Sequence, residues 1–255
     1  MKLVMLGTGN SAMVPVWGCD CEICAEARLD RTLRREKSSA YVEHNGRKLL
    51  LDANAPDLLD RFPPGSIDKI LLTHFHMDHV HSLFDLRWGK GTLIPVHAPE
   101  DEQGCDDLYK YPGVLDFSQR SLPFQSFIWQ DITVTPLPLN HSRPCVGYAF
   151  ELNGHCIAYL TDTNGLPEAT TQWLKQRTVD WIVTDCSFPP IECEHTKVSN
   201  NHNDISQVQN IAEQCQPERI GLIHLGHNVL LWAKRHPQCF SDSFQLLHDG
   251  QEIPL

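Results

Sequence analysis

The chain has 255 residues, 41% of them hydrophobic, with 15 glycines and 17 prolines spread along it. That length supports one large domain with a full core, spanning 1–255, and the composition excludes a disordered chain. The net charge of −11 argues against nucleic-acid binding through a basic surface. No stretch reaches the ~20 apolar residues of a membrane span.

In chain order, the first strand is expected at 2–6, an apolar run too short for a signal peptide that leads directly into Gly7-Thr8-Gly9. Without such a signal, ten cysteines point to a reducing, cytoplasmic setting. Three of them form Cys19-Asp20-Cys21-Glu22-Ile23-Cys24. This spacing lets a tight loop, at about 17–26, direct three thiolates to one structural zinc. The fourth ligand is expected to be His227, three residues after His224. A helix at 21–30 follows, then strands at 38–44 and 47–52 joined at Asn45-Gly46, which favours a type I′ turn. A helix is expected at 55–61.

The strand at 69–73 runs into His74-Phe75-His76-Met77-Asp78-His79. Imidazoles and a carboxylate suit borderline divalent cations such as zinc or manganese. Four such side chains in six residues face different ways, so they serve two adjacent cations better than one. Two metals ~3.5–4 Å apart can clamp a phosphoryl or carbonyl group and activate water.

A helix at 80–87, a strand at 94–97 and a helix at 100–110 come next. Strands at 127–129, 132–137, 146–152 and 155–161 follow, the last two joined at Asn153-Gly154. Pro167 opens a helix at 167–177. A strand at 180–185, a helix at 203–215 and a strand at 219–224 complete the series. Three of these apolar runs end in one metal-competent residue each: His141, Asp162 and His224. Hairpins mixed with helices imply two mixed sheets packed together, with helices outside.

His-x-His-x-Asp-His followed by a lone His, a lone Asp and a final His, each after a strand, resembles the metallo-β-lactamase superfamily. The match spans positions 74–224. The resemblance implies an α/β fold, the αββα sandwich, with its site along one edge of the two sheets. It also implies that His74, His76 and His141 hold one metal, that Asp78, His79 and His224 hold the other, and that Asp162 bridges them.

Within that superfamily, Leu6-Gly7-Thr8-Gly9 resembles the ribonuclease Z-like and phosphodiesterase branches. The Cys loop, the segments 83–89 and 99–108, and Pro136-Leu137-Pro138-Leu139-Asn140-His141-Ser142 resemble the phosphoribosyl cyclic phosphodiesterases of the carbon–phosphorus lyase pathway. What this implies is hydrolysis of 5-phospho-α-D-ribosyl 1,2-cyclic phosphate to ribose 1,5-bisphosphate in bacterial phosphonate use. Manganese-type activation (zinc, iron and nickel stay open), an N-terminal zinc and a homodimer are implied with it.

The ribose 2-oxygen is a poor leaving group and needs a proton donor. His202, in Asn200-Asn201-His202-Asn203-Asp204, is the acid expected, and the family places an acid histidine at the matching position. His195 is its rival, and His44, His81 and His97 read as surface or packing residues. For the 5-phosphate, Arg34, Arg35, Lys37, Arg87 and Arg143 are equal candidates. Three other readings stand beside this one: a ribonuclease Z-like tRNA 3′ nuclease, although no basic arm insertion is evident; a protein of pyrroloquinoline quinone synthesis, which shares the Cys loop; and a non-enzymatic metal scaffold.

Overall fold

The structure, a computed structural model, describes residues 1–190 and 201–254. His195, Asn200 and Cys193 lie outside the described residues. The strands are β1 (Lys2–Gly7), β2 (Ser39–His44), β3 (Arg47–Leu51), β4 (Lys69–Leu71), β5 (Ile94–Ala98), β6 (Leu115–Arg120), β7 (Phe127–Trp129), β8 (Ile132–Pro138), β9 (Val146–Leu152), β10 (His155–Leu160), β11 (Trp181–Asp185), β12 (Arg219–Ile223), β13 (Phe244–Leu246) and β14 (Glu252–Pro254). They form two seven-stranded mixed sheets, in the orders β14-β1-β2-β3-β4-β5-β6 and β13-β12-β11-β10-β9-β8-β7.

Side-chain alternation sorts residues into three apolar layers. In β3, Leu49 and Leu51 join Tyr148, Phe150 and Tyr159 in the layer between the sheets. Leu50, between them in sequence, packs on the outer face with Leu58, Phe62 and Leu83. On the second sheet, Ala158 and Leu160 of β10 face outward onto Leu174, Val208 and Val229. The outer layers belong to the helices α1 (Glu22–Leu29), α2 (Leu58–Arg61), α3 (Met77–Val80), α4 (Leu83–Leu86), α5 (Asp106–Lys110), α6 (Glu168–Lys175), α7 (Ile205–Cys215) and α8 (His227–Arg235). This is the expected αββα sandwich.

Both Asn-Gly turns take the expected form. Asn45 and Gly46 have φ of 48° and 74°, Asn153 and Gly154 of 53° and 87°, as a type I′ turn requires. Gly7 and Gly9 are needed for close approach. A Cβ on Gly7 would fall on the Lys37 carbonyl oxygen, and one on Gly9 would stand 2.7 Å from that of Arg35.

Other elements differ from expectation for local reasons. The helix expected at 80–87 shortens to α4, with α3 already ending at Val80, because the Ser82 amide donates across to Ala53 O (2.9 Å) and its hydroxyl to Ala55 O (2.8 Å). The helix at 100–110 starts only at Asp106, since Asp101 Oδ1 accepts from the Gln103 and Gly104 amides and holds a turn. β6, β13, β14 and α8 were not anticipated. Asp204 caps α7, through a capping box with Gln207.

Candidate metal centre

Parallel pairing decides where the functional side chains meet. β3 and β4 run parallel, as do β10, β11 and β12, so their carboxyl ends lie side by side at one edge. β8 and β10 flank the antiparallel β9 and so point the same way. The loops leaving these ends carry Asp52, His74–His79, His141, Asp162, Asp185 and His224. All seven superfamily-type positions converge there, in overlapping clusters of donor atoms.

The first cluster is His74, His76 and His141. His76 Nδ1 lies 2.9 Å from His74 Nε2 and 3.0 Å from His141 Nε2. The second is Asp78, His79 and His224, with His224 Nε2 at 3.6 Å and His79 Nε2 at 3.9 Å from Asp78 Oδ2. Asp162 Oδ2 faces both, at 3.2 Å from His79 Nε2, 3.5 Å from His224 Nε2, 3.8 Å from His74 Nε2 and 4.0 Å from His141 Nε2. Ligands sharing one cation at about 2.1 Å stand roughly 3.0–3.5 Å apart. The spacing therefore fits a cation at each cluster with Asp162 between them.

The buried atoms agree with that fit. His79 Nε2 and His224 Nε2 are buried without a hydrogen-bond partner. Such orphans cost about 1–3 kcal/mol each unless something satisfies them.

A surrounding shell fixes each ring. His79 Nδ1 donates to Asp52 Oδ2 at 2.7 Å, and Asp52 Oδ1 accepts the Thr73 amide at 2.8 Å. The Thr73 hydroxyl also donates to Asp52 and stands 3.0 Å from His74 Nδ1. Ser187 Oγ donates to the His224 carbonyl and accepts from its Nδ1 at 2.8 Å. His141 Nδ1 donates to Asn201 O at 3.1 Å. With Nδ1 engaged, these rings present Nε2 to the centre, the usual arrangement around metal-bound histidine. Asp52 and His224 both adopt left-handed backbone, φ 59° and 55°, a conformation that costs a non-glycine residue about 1–3 kcal/mol.

The ionisation pattern follows from burial and charge. Burial holds His74 well below the ordinary imidazole range and pushes His141 down to about 4, so both are neutral, the form that donates to a cation. Burial opposes ionisation of Asp78, but the His224 and His79 imidazoles facing it outweigh burial and bring the carboxyl to about 2.

His202 stands on the rim. Its Nδ1 is 2.9 Å from Asp185 Oδ2 and 3.9 Å from Asp162 Oδ2, and its ring stacks on His224 with centroids 4.7 Å apart. Asp185 is fully buried and also accepts from the Thr163 amide and Asn203 Nδ2. Burial works against a charged His202, but Asp185, Asp162 and Asp78 outweigh it and raise its pKa.

Cys19, Cys21 and Cys24 also converge. Their sulfurs lie 3.3, 3.4 and 3.5 Å from His227 Nδ1. A tetrahedral zinc with three sulfurs and one nitrogen sets these pairs at about 3.6 Å, so the four residues fit one. His227 opens α8, three residues after His224, and α1 carries Cys24. The nine described cysteines are unpaired.

Asp52, Thr73, Asp185 and Ser187 escaped the sequence reading. Asp52 and Asp185 carried the same signal as Asp162, an apolar strand ending in a carboxylate. Four of the five 5-phosphate candidates are engaged within the chain. Arg34 donates to Ala27 O, Arg35 to Thr8 Oγ1, Arg87 to Asp107 and Arg143 to Asp101. His97 is buried against Phe127 and His44 pairs with Asp131, as packing and surface residues do.

Comparison with known proteins agrees with this edge geometry. A model of the β-lactamase superfamily domain matches residues 47–225. An octanoyltransferase of Porphyromonas gingivalis is 29% identical over 99% of this chain but only 51% of its own length, so the chain spans about half of that relative. The crystal structure of a new diphosphatase from the PhnP family superposes with a TM-score of 0.82, at 26% identity, over 100% of this chain and 97% of that one. Zinc-bound PqqB from Methylobacterium extorquens superposes with a TM-score of 0.80 at 20% identity, over the full length of both chains, which speaks to the fold alone. Among the described residues no helix is long and apolar enough to cross a membrane. The chain belongs to the metallo-β-lactamase superfamily, whose fold implies divalent-metal binding.

Proposed function

We propose that this protein is a metal-dependent hydrolase, a phosphodiesterase that opens 5-phospho-α-D-ribosyl 1,2-cyclic phosphate to α-D-ribose 1,5-bisphosphate. The proposal includes two exchangeable divalent cations, manganese foremost, a separate zinc at Cys19, Cys21, Cys24 and His227, and a homodimer working in the cytoplasm in phosphonate catabolism. His202 carries the reading: an imidazole held by Asp185 beside His224, 3.9 Å from the Asp162 oxygen that faces both clusters. A reaction with a good leaving group has no need of that device, whereas a sugar alkoxide does.

The site residues divide the work. His74, His76 and His141 would hold one cation, Asp78, His79 and His224 the other, with Asp162 shared. The bound cations would supply Lewis acidity and a water nucleophile at neutral pH. Asp185 fixes the His202 ring, and the surrounding carboxylates favour its protonated form. His202 passes that proton to the ribose 2-oxygen as its bond to phosphorus breaks. The 26% identity to a PhnP-family diphosphatase over nearly whole chains supports hydrolysis at phosphorus.

The test is a comparison of kcat/KM for the cyclic phosphate, a linear aryl diester and a 3′-extended tRNA, with manganese-loaded protein. The proposal expects the cyclic phosphate to lead. Preference for tRNA would favour a nuclease, and no turnover of any of the three would sink the phosphodiesterase reading.

A further inference from the structure

The first donor cluster is assembled from loops of different sheets. His74-Phe75-His76 follows β4, and His141 follows β8. One side chain reaches across them. Arg143, two residues after His141, donates from Nε and Nη2 to Asp101 Oδ2 at 2.9 and 2.7 Å, and from Nη2 to Gly104 O at 3.0 Å. Its Nη1 donates to Phe75 O at 3.3 Å. Phe75 is the residue between His74 and His76. Asp101 is itself fixed, with its side chain 4% exposed and its other oxygen accepting from the Gln103 and Gly104 amides.

We propose that Arg143 is a positioning residue: clamped by Asp101, it sets the separation of the loop bearing His74 and His76 from the loop bearing His141, and so the cation affinity of that cluster alone. The proposal rests on the reading that His74, His76 and His141 hold a cation. A planar guanidinium suits the task because its donors leave in several directions at once. Lysine in its place reaches Asp101 as a point charge but cannot also hold both carbonyls. Arg143 has no comparable tie to Asp78, His79 or His224, whose rings are set by Asp52 and Ser187.

The experiment is calorimetric titration with Mn²⁺ of protein stripped of exchangeable metal but keeping its thiolate-bound zinc. Wild type should show two Mn²⁺ sites. Arg143→Ala should weaken one by about 10–100-fold, the usual worth of a supporting contact, and leave the other within about threefold. Asp101→Ala should give a similar loss, and the double variant little more, because the two residues act as one unit. Arg177→Ala breaks an ion pair with Glu151, near the turn between β9 and β10, and should change neither affinity. If Arg143→Ala fails to fold, Arg143→Lys carries the same test with a smaller loss at the same site. Unchanged affinities, or equal losses at both sites, would overturn the positioning role. A wild-type protein taking up fewer than two Mn²⁺ would instead overturn the two-cation reading beneath it.

Discussion

Replacing Asp52 with Asn tests the second cluster at its support. Asp52 is fully buried, with Oδ1 accepting the Thr73 amide at 2.8 Å and Oδ2 accepting His79 Nδ1 at 2.7 Å. The carboxamide keeps the first bond and places an NH2 at the second. His79 Nδ1–H then meets a donor. Its proton must move to Nε2, the atom now 3.2 Å from Asp162, or the ring must turn away. Either way the cluster loses a donor. A supporting contact of this kind is worth about 10–100-fold in metal affinity, or roughly 1.4–2.7 kcal/mol. Burying two opposed donors adds about 1–3 kcal/mol of instability, which for a chain this size lowers Tm by roughly 2–12 °C. Mn²⁺ titration and a thermal melt on the same variant read both quantities. One weakened site and a lowered Tm are expected. Two intact sites would refute the role given to Asp52, and equal weakening of both would refute its restriction to the second cluster.

Cys21→Ser should lower zinc content and Tm together, because structural zinc is coupled to folding; zinc analysis and a melt that both match wild type would remove the structural site. Asp162→Ala should abolish turnover and reduce occupancy at both clusters, since its Oδ2 faces Nε2 of His74 and His141 in one and of His79 and His224 in the other; retention of both cations in elemental analysis would deny it the bridge. His202→Ala should slow the ribosyl cyclic phosphate by roughly 100- to 10,000-fold and spare bis(4-nitrophenyl) phosphate, whose phenolate departs unaided. Equal losses on both substrates, or a lost metal, would count against the acid role.

The two donor clusters were legible because metal-competent side chains rarely close apolar strands in series, and His74, His141, Asp162 and His224 each do. The Cys loop was legible from spacing, and His227 from its distance to His224. The supporting shell was not. Asp52 and Asp185 end strands as Asp162 does, but a carboxylate that orients a ring and one that binds a cation look alike in sequence; only the 2.7 Å contact to His79 and the 2.9 Å contact to His202 separate them. Ser187 and Thr73 act through single hydroxyls, which carry no pattern. The missed strands β13 and β14 are three residues long and lie at sheet edges, where pairing rather than periodicity defines them. The break between α3 and α4 is tertiary in origin, set by the Ser82 bonds to Ala53 and Ala55.

Turnover of 5-phospho-α-D-ribosyl 1,2-cyclic phosphate in ¹⁸O-labelled water, followed by ³¹P NMR, tests the central claim most directly. The account predicts one ¹⁸O on the 1-phosphate of the product, a free 2-hydroxyl, and no reaction after the exchangeable metals are removed. A 2-phosphate product, label on carbon in place of phosphorus, or undiminished turnover in metal-stripped protein would contradict it.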